Sequence, residues 1–160
     1  MSILSKTLLG MAIIGISMQF HRPVKNLGPG APDARDLTAH HPAPPEIKTL
    51  LENTCYDCHS NTTRYPWYAE IQPVGWWLAW HVNDGKKHLN FSTFADYTPK
   101  RAARKLEESA ELIREGEMPL PSYKLAHAEA RLTPEQTQRL ADWFAAVRAR
   151  IIEAVPATSP

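Results

Sequence analysis

The sequence predicts a small all-α domain behind an N-terminal apolar segment and a proline-rich connector. Its length, 160 residues, suits one domain with tails. Apolar residues recur at helical spacing in several stretches bounded by proline, glycine or capping residues, whereas no stretch shows the strict alternation of a half-buried strand. The 14 prolines against 7 glycines point to stiff connections between the helices. Lys and Arg total 18 against 17 Asp and Glu, so no positive field exists to attract a phosphate backbone, and nucleic acid is not an expected partner.

Residues 1–20 carry Lys6 and then an uncharged run, Thr7 to Phe20, which reads as a signal peptide or membrane anchor. Fourteen helical residues reach about 21 Å against a hydrocarbon core of about 30 Å, which suits an export segment better than a full span. Gly15 and Ser17 offer small residues for cleavage. Either reading sends the rest of the chain to the periplasm, and an uncleaved segment tethers it to the inner membrane. Residues 21–45 are proline-rich with few large apolar side chains and read as a linker. His40 and His41 lie there without further nearby ligands and read as a solvated pair.

The folded domain is expected over 46–154, with 155–160 a tail. Pro45 suits the first turn of a helix, followed by Ile47, Leu50, Leu51 and Thr54 at helical spacing. Pro66 and Pro73 interrupt the aromatic stretch 65–81, and Val74 to His88 forms the next helix, bearing Trp76, Trp77 and Trp80. A third helix starts at Pro99, runs through Ala102, Leu106, Ala110 and Ile113, and is capped by Gly116. The last opens on Thr133-Pro134-Glu135-Gln136, a capping box, and continues through Leu140, Trp143, Phe144, Val147 and Ile151.

The chemistry lies between the first two of these helices. Cys55-Tyr56-Asp57-Cys58-His59 is C-x-x-C-H, the attachment pattern of a c-type haem. Two thiols on one helical turn each add across a vinyl group at the porphyrin edge, while the neighbouring imidazole reaches iron. Cys55 and His59 are i and i+4 and so share a helix face. A thioredoxin-like redox pair calls for a βαβ setting, and a zinc site for a second short-spaced ligand pair; the sequence offers neither. The expected cofactor is one haem c per chain, held by Cys55 and Cys58, with His59 as proximal iron ligand. The other ring nitrogen of His59 needs an acceptor, for which the carbonyl of Pro66 or Pro73 is the expectation.

The second axial position has four candidates, Met118, His81, His88 and His127. Met118 is favoured. It is the sole methionine outside the N-terminal segment, and it sits between Glu117 and Pro119 in a loop stiffened again by Pro121. His81 reads as a packed core residue of the tryptophan-bearing helix, and His88 and His127 as solvated or capping residues near element ends. Trp67, Tyr68, Trp76, Trp77 and Trp80 are expected to wall the haem crevice and shield the iron from water.

The blocks LLENTCYDCHSNTTRYPWY, HVNDGKKHLNFS, IREGEMP and HAEARLT, in this order over residues 45–150, resemble the bacterial haem-binding domain family of exported monohaem c-type cytochromes. The resemblance implies a cytochrome c-like helical fold wrapped around one covalent haem, with a frequent N-terminal membrane anchor. It also implies Cys55 and Cys58 as thioether attachments, His59 as proximal ligand and Met118 of Gly-Glu-Met-Pro as distal ligand. Ala128 departs from the pattern, which often has proline after the histidine.

Three function classes are open to such a chain. With His59 and Met118 both on iron, no site is free for substrate, and the protein is an electron carrier between redox partner proteins rather than an enzyme. With an open sixth position it is a haem enzyme or gas sensor, for which His81 or His88 is the available distal acid–base group. As a haem-bearing subunit of a larger membrane redox complex, it would display exposed tryptophans.

Overall fold

The computed structural model describes residues 2–28 and 33–155; Met1, residues 29–32 of the expected linker and all of the expected tail except Val155 lie outside the described residues. The helices are α1 (Ile3–Met18), α2 (Leu37–His40), α3 (Pro45–Thr54), α4 (Tyr56–His59), α5 (Val74–His88), α6 (Pro99–Arg114), α7 (Pro121–Ala126) and α8 (Pro134–Glu153), joined in part by 3₁₀ turns at Trp67–Glu70, Phe91–Asp96 and Ala128–Ala130. The fold is all-helical. Among the described residues there is no strand, only an isolated antiparallel bridge between Leu27 and Thr62.

The four helices expected from periodicity form where local chemistry starts and stops them. Pro45, Pro99 and Pro134 open α3, α6 and α8, where a missing N–H is no loss. The Thr98 and Thr133 side chains accept from the Arg101 and Gln136 N–H groups, and the Gln136 side chain returns the bond to complete the capping box. Gly116, at φ 75°, takes the left-handed conformation that ends α6 and turns the chain toward Met118.

The core is built on α6 and α8, the most extensive helix pair, which join Leu106, Ala110 and Ile113 to Leu140, Phe144 and Val147. Ile47, Leu50 and Leu51 of α3 close one side. Phe91 stacks on Phe144 with ring centroids 6.2 Å apart, carrying the core toward α4.

The proline-rich stretch expected to be a linker packs against the domain on both sides of its undescribed residues. Asn26 donates to the Ser60 carbonyl and to Thr63 Oγ1, and Gly28 N–H donates to the Asn61 carbonyl. Leu37 is fully buried in the core, and Asp36, which caps α2, accepts from the Tyr56 hydroxyl at 2.7 Å. Composition hides this packing. One leucine needs no apolar run to fill a hollow, and prolines lower the entropy lost when the backbone is ordered.

At the N-terminus, α1 exposes apolar side chains and buries none. No described helix is long and apolar enough to cross a membrane. The end of α1 is fastened to the domain: Gln19 Nε2 donates to the Gln72 carbonyl (3.1 Å), Gln72 N–H donates to Gln19 Oε1 (2.9 Å), and the Trp76 indole donates to the His21 carbonyl (2.6 Å).

Candidate functional site

The site is assembled where α3 gives way to α4. Cys55 adopts φ −125° and ψ −44°, so the helix is broken for one residue, and α4 adds a single turn that carries Cys58 and His59. The His59 N–H still donates to the Cys55 carbonyl at 2.9 Å, which preserves the i, i+4 relation expected from the spacing.

Two features of α5 and its end fit this turn. Gly85 lets α5 approach α4 closely: a Cβ there would lie 2.7 Å from the Cys58 carbonyl oxygen. Beyond His88, Leu89 is extended, which frees its carbonyl from the helix ladder, and His59 Nδ1 lies 3.0 Å from that oxygen. Nδ1–H therefore donates to Leu89, correcting the expected acceptors Pro66 and Pro73. Asn90 fixes the carbonyl in place, donating its N–H to the Tyr97 hydroxyl and its amide to Asn61 Oδ1. With Nδ1 so engaged, the lone pair of His59 is on Nε2, and burial holds the imidazole below its usual pKa and hence neutral, the form that ligates a metal.

Cys55, Cys58 and His59 line a cavity of about 440 Å³, within the range of ordinary cofactor sites. Phe91, Leu112, Ile113, Leu140 and Phe144 supply apolar walls, and the Met118 loop lines the same space. Burial pushes both thiols up to about 11, so at neutral pH neither is the thiolate that disulfide exchange or a metal ligand requires. Among the described residues no group of three or more His, Cys, Asp or Glu side chains is arranged to hold a metal ion directly. The donor set instead suits a bulky planar group attached at its edge: two thiols, one neutral imidazole and a thioether around one mainly apolar space.

A profile of the family described as haem-binding domain matches residues 13–146. The chain belongs to the haem-binding domain family. No curated protein and no solved structure matches it. The cofactor of this haem-binding domain is thus haem, and the fit of the residues to it can be read one by one.

Of the four candidates for the second axial position, Met118, His81 and His88 line the cavity and His127 does not. His127 ends α7, with its N–H on the Tyr123 carbonyl, and its ring stacks on Tyr123 with centroids 4.1 Å apart. His81 is not the packed core residue expected; it sits half-buried on the wall, its Nδ1 2.9 Å from the Trp77 carbonyl. His88 is exposed, with Nε2 3.8 Å from Asp84 Oδ2.

The expected aromatic wall is mostly elsewhere. Trp80 alone of Trp67, Tyr68, Trp76, Trp77 and Trp80 lines the main cavity, whereas Tyr68 and Trp77 line a smaller neighbour of about 110 Å³. Trp67 and Trp76 line neither, and the Trp76 indole donates instead to the His21 carbonyl.

The most connected side chain of the motif is one that sequence reasoning misses. Asp57 is buried, and its carboxylate accepts from the Arg64 N–H (2.9 Å), the Arg64 guanidinium (3.2 Å) and the Tyr123 hydroxyl (2.7 Å). It binds α4 to the loop after it and to α7. No sequence signal marks Asp57, because an aspartate beside a cysteine looks solvated. Gly85 carries a weak signal, since a glycine inside a helical pattern costs about 1 kcal/mol against alanine and so asks for a packing reason.

Proposed function

We propose that this haem-binding domain is a monohaem c-type cytochrome that passes single electrons between redox partner proteins. The observation that carries the reading is that Cys55, Cys58, His59 and Met118 line one cavity in a chain of the haem-binding domain family. When bound, haem supplies an iron that alternates between ferric and ferrous states. The chain does the rest. Cys55 and Cys58 would fix the porphyrin edge through thioethers. His59 Nε2 would ligate iron while its Nδ1–H stays on the Leu89 carbonyl, which keeps the ring from turning. Met118, in the loop after Gly116, would hold the iron through its thioether and so leave no position for substrate, while Phe91, Leu140 and Phe144 wall the cavity against water.

In the same reading the domain works in the periplasm. Residues 1–20 direct export and remain as an anchor to the inner membrane, a role supported by the exposed apolar surface of α1, uncharged beyond Lys6.

A second reading rests on His81 and His88, which also reach the cavity wall. If either replaces Met118 on iron, or acts as a distal base beside an open position, the protein is a bis-histidine cytochrome or a haem enzyme or sensor. One set of measurements separates these. The purified mature chain should carry the mass of covalent haem, lost when Cys55 and Cys58 are both changed to Ser, and should retain the mass of residues 1–20. The ferric protein should show a thioether-to-iron charge-transfer band that Met118→Ala abolishes, and the wild-type ferrous protein should not bind carbon monoxide. Ready carbon monoxide binding by the wild type would overturn the carrier reading.

A further inference from the structure

Residues 67–80 form an unusual surface. Trp67 is 77%, Trp80 61%, Trp77 46%, Ile71 46% and Trp76 37% exposed. They form one unit, because Gly75 packs the start of α5 onto the 3₁₀ turn at Trp67–Glu70: a Cβ at Gly75 would lie 2.5 Å from the Ala69 carbonyl oxygen. Between Arg64 and Asp84 the sequence has one charged residue, Glu70. That carboxylate is paired with both Arg22 and Lys25. The surface therefore combines large amphipathic rings with no unpaired charge among residues 67–80.

Its position relative to α1 identifies the medium it meets. The hydrogen bonds of Gln19 and His21 to Gln72 and Trp76 hold the end of α1 directly against this surface. The 16 residues of α1 extend about 24 Å, short of a hydrocarbon core of about 30 Å. A helix that falls short keeps its apolar length in the bilayer by drawing its flanking residues to the headgroup level. On the C-terminal side of α1 those residues are Phe20, then the clamp, then the tryptophans, side chains that favour that level because one end is apolar and the other polar.

We infer that the face made by Trp67, Ile71, Trp76, Trp77 and Trp80 lies on the lipid bilayer surface, seating the domain against the membrane at the end of α1. The inference rests on the reading of residues 1–20 as a retained anchor. Trp80 also lines the main cavity, so the seated face holds the haem site at a fixed height above the lipid.

The test uses full-length holoprotein containing 5-fluorotryptophan, reconstituted into phosphatidylethanolamine–phosphatidylglycerol vesicles with headgroup spin-labelled lipid. The ¹⁹F resonances are assigned by single Trp→Phe variants and recorded on the ferrous protein with spin-labelled and with otherwise identical unlabelled lipid. The resonances of Trp67, Trp76, Trp77 and Trp80 should broaden in the labelled lipid, and that of Trp143, buried in the core, should stay sharp. The paired change Trp67→Gln and Ile71→Gln, at positions outside the main cavity, should leave vesicle flotation intact and abolish the broadening at Trp76. Flotation with sharp resonances throughout would overturn the seated face while leaving the anchor standing. Failure to float would overturn the anchor and the inference with it. Sharp resonances in pure lipid that shift only when native membrane fragments are supplied would assign the face to a protein partner, and would also overturn the inference.

Discussion

The Tyr123 hydroxyl donates to Asp57 Oδ2 at 2.7 Å, and this bond joins α7, reached through the Met118 loop, to the turn that carries Cys58 and His59. The two sides of the cavity are thereby held by a buried carboxylate lying between the two cysteines. Tyr123→Phe should lower stability by about 1.5–3 kcal/mol, as a lost hydrogen bond to a charged group does. Asp57→Ala, which also strips the Arg64 N–H and guanidinium of their acceptor, should lower it by about 2–4 kcal/mol. Urea denaturation of the holoprotein measures both, and a Tyr123→Phe variant as stable as wild type would show the bond to be energetically idle.

The same contact predicts an alkaline limit. Burial, reinforced by the Asp57 carboxylate, pushes the Tyr123 phenol above the ordinary tyrosine range. The folded state thus keeps its proton where the unfolded chain loses it. The stabilisation is complete below about pH 10, the unfolded tyrosine value, and declines as pH rises further because the unfolded state then binds fewer protons. The fall in unfolding free energy above pH 10 should be shallower in Tyr123→Phe than in wild type.

Gly85→Ala sets two effects against each other. Alanine favours a helix interior by about 1 kcal/mol over glycine. Here its Cβ would meet the Cys58 carbonyl oxygen at 2.7 Å, a backbone atom that cannot swing aside. Overpacking of this kind costs about 1–3 kcal/mol and displaces the turn that presents Cys58 and His59. The yield of haem-loaded protein should fall, read from haem absorbance per unit of polypeptide, and melting should occur at lower temperature. An unchanged yield would mean that α5 shifts freely away from α4.

How far these features are legible in the sequence varies with their physical origin. Helices α3, α5, α6 and α8 arise from apolar periodicity and from prolines and threonines at their starts, so their extents are readable from local sequence alone. The cysteine pair and His59 are equally plain because attachment chemistry fixes their spacing. The acceptor for His59 is not readable. It is a backbone carbonyl, which every residue possesses, and Leu89 offers it only because α5 stops at His88 and the chain becomes extended. Asp57 escapes for a related reason, since its partners Arg64 and Tyr123 meet it only in the fold. The tryptophans read as cavity lining because aromatic rings are good core material, yet only Trp80 lines the main cavity, and Trp67, Trp76 and Trp77 lie exposed outside it.

Leu37→Ala tests whether the proline-rich stretch is an integral part of the domain. Leu37 is fully buried within the main core, so truncation should destabilise the holoprotein by about 2–5 kcal/mol in the same denaturation assay. A change below about 0.5 kcal/mol, typical of surface positions, would show that this stretch is dispensable.

The two ends of α5 do different work: the first turn presents Trp76 to the outside, and the last brings Gly85 and His88 to the cavity. A helix is inextensible, so Trp76 and Gly85 are separated by about 13.5 Å along its axis whatever lies at either end. The helix acts as a gauge. Each residue added between them would lengthen the separation by about 1.5 Å and rotate one half by about 100° against the other. The height of the cavity above the proposed lipid-facing surface is therefore written into the residue count of one helix.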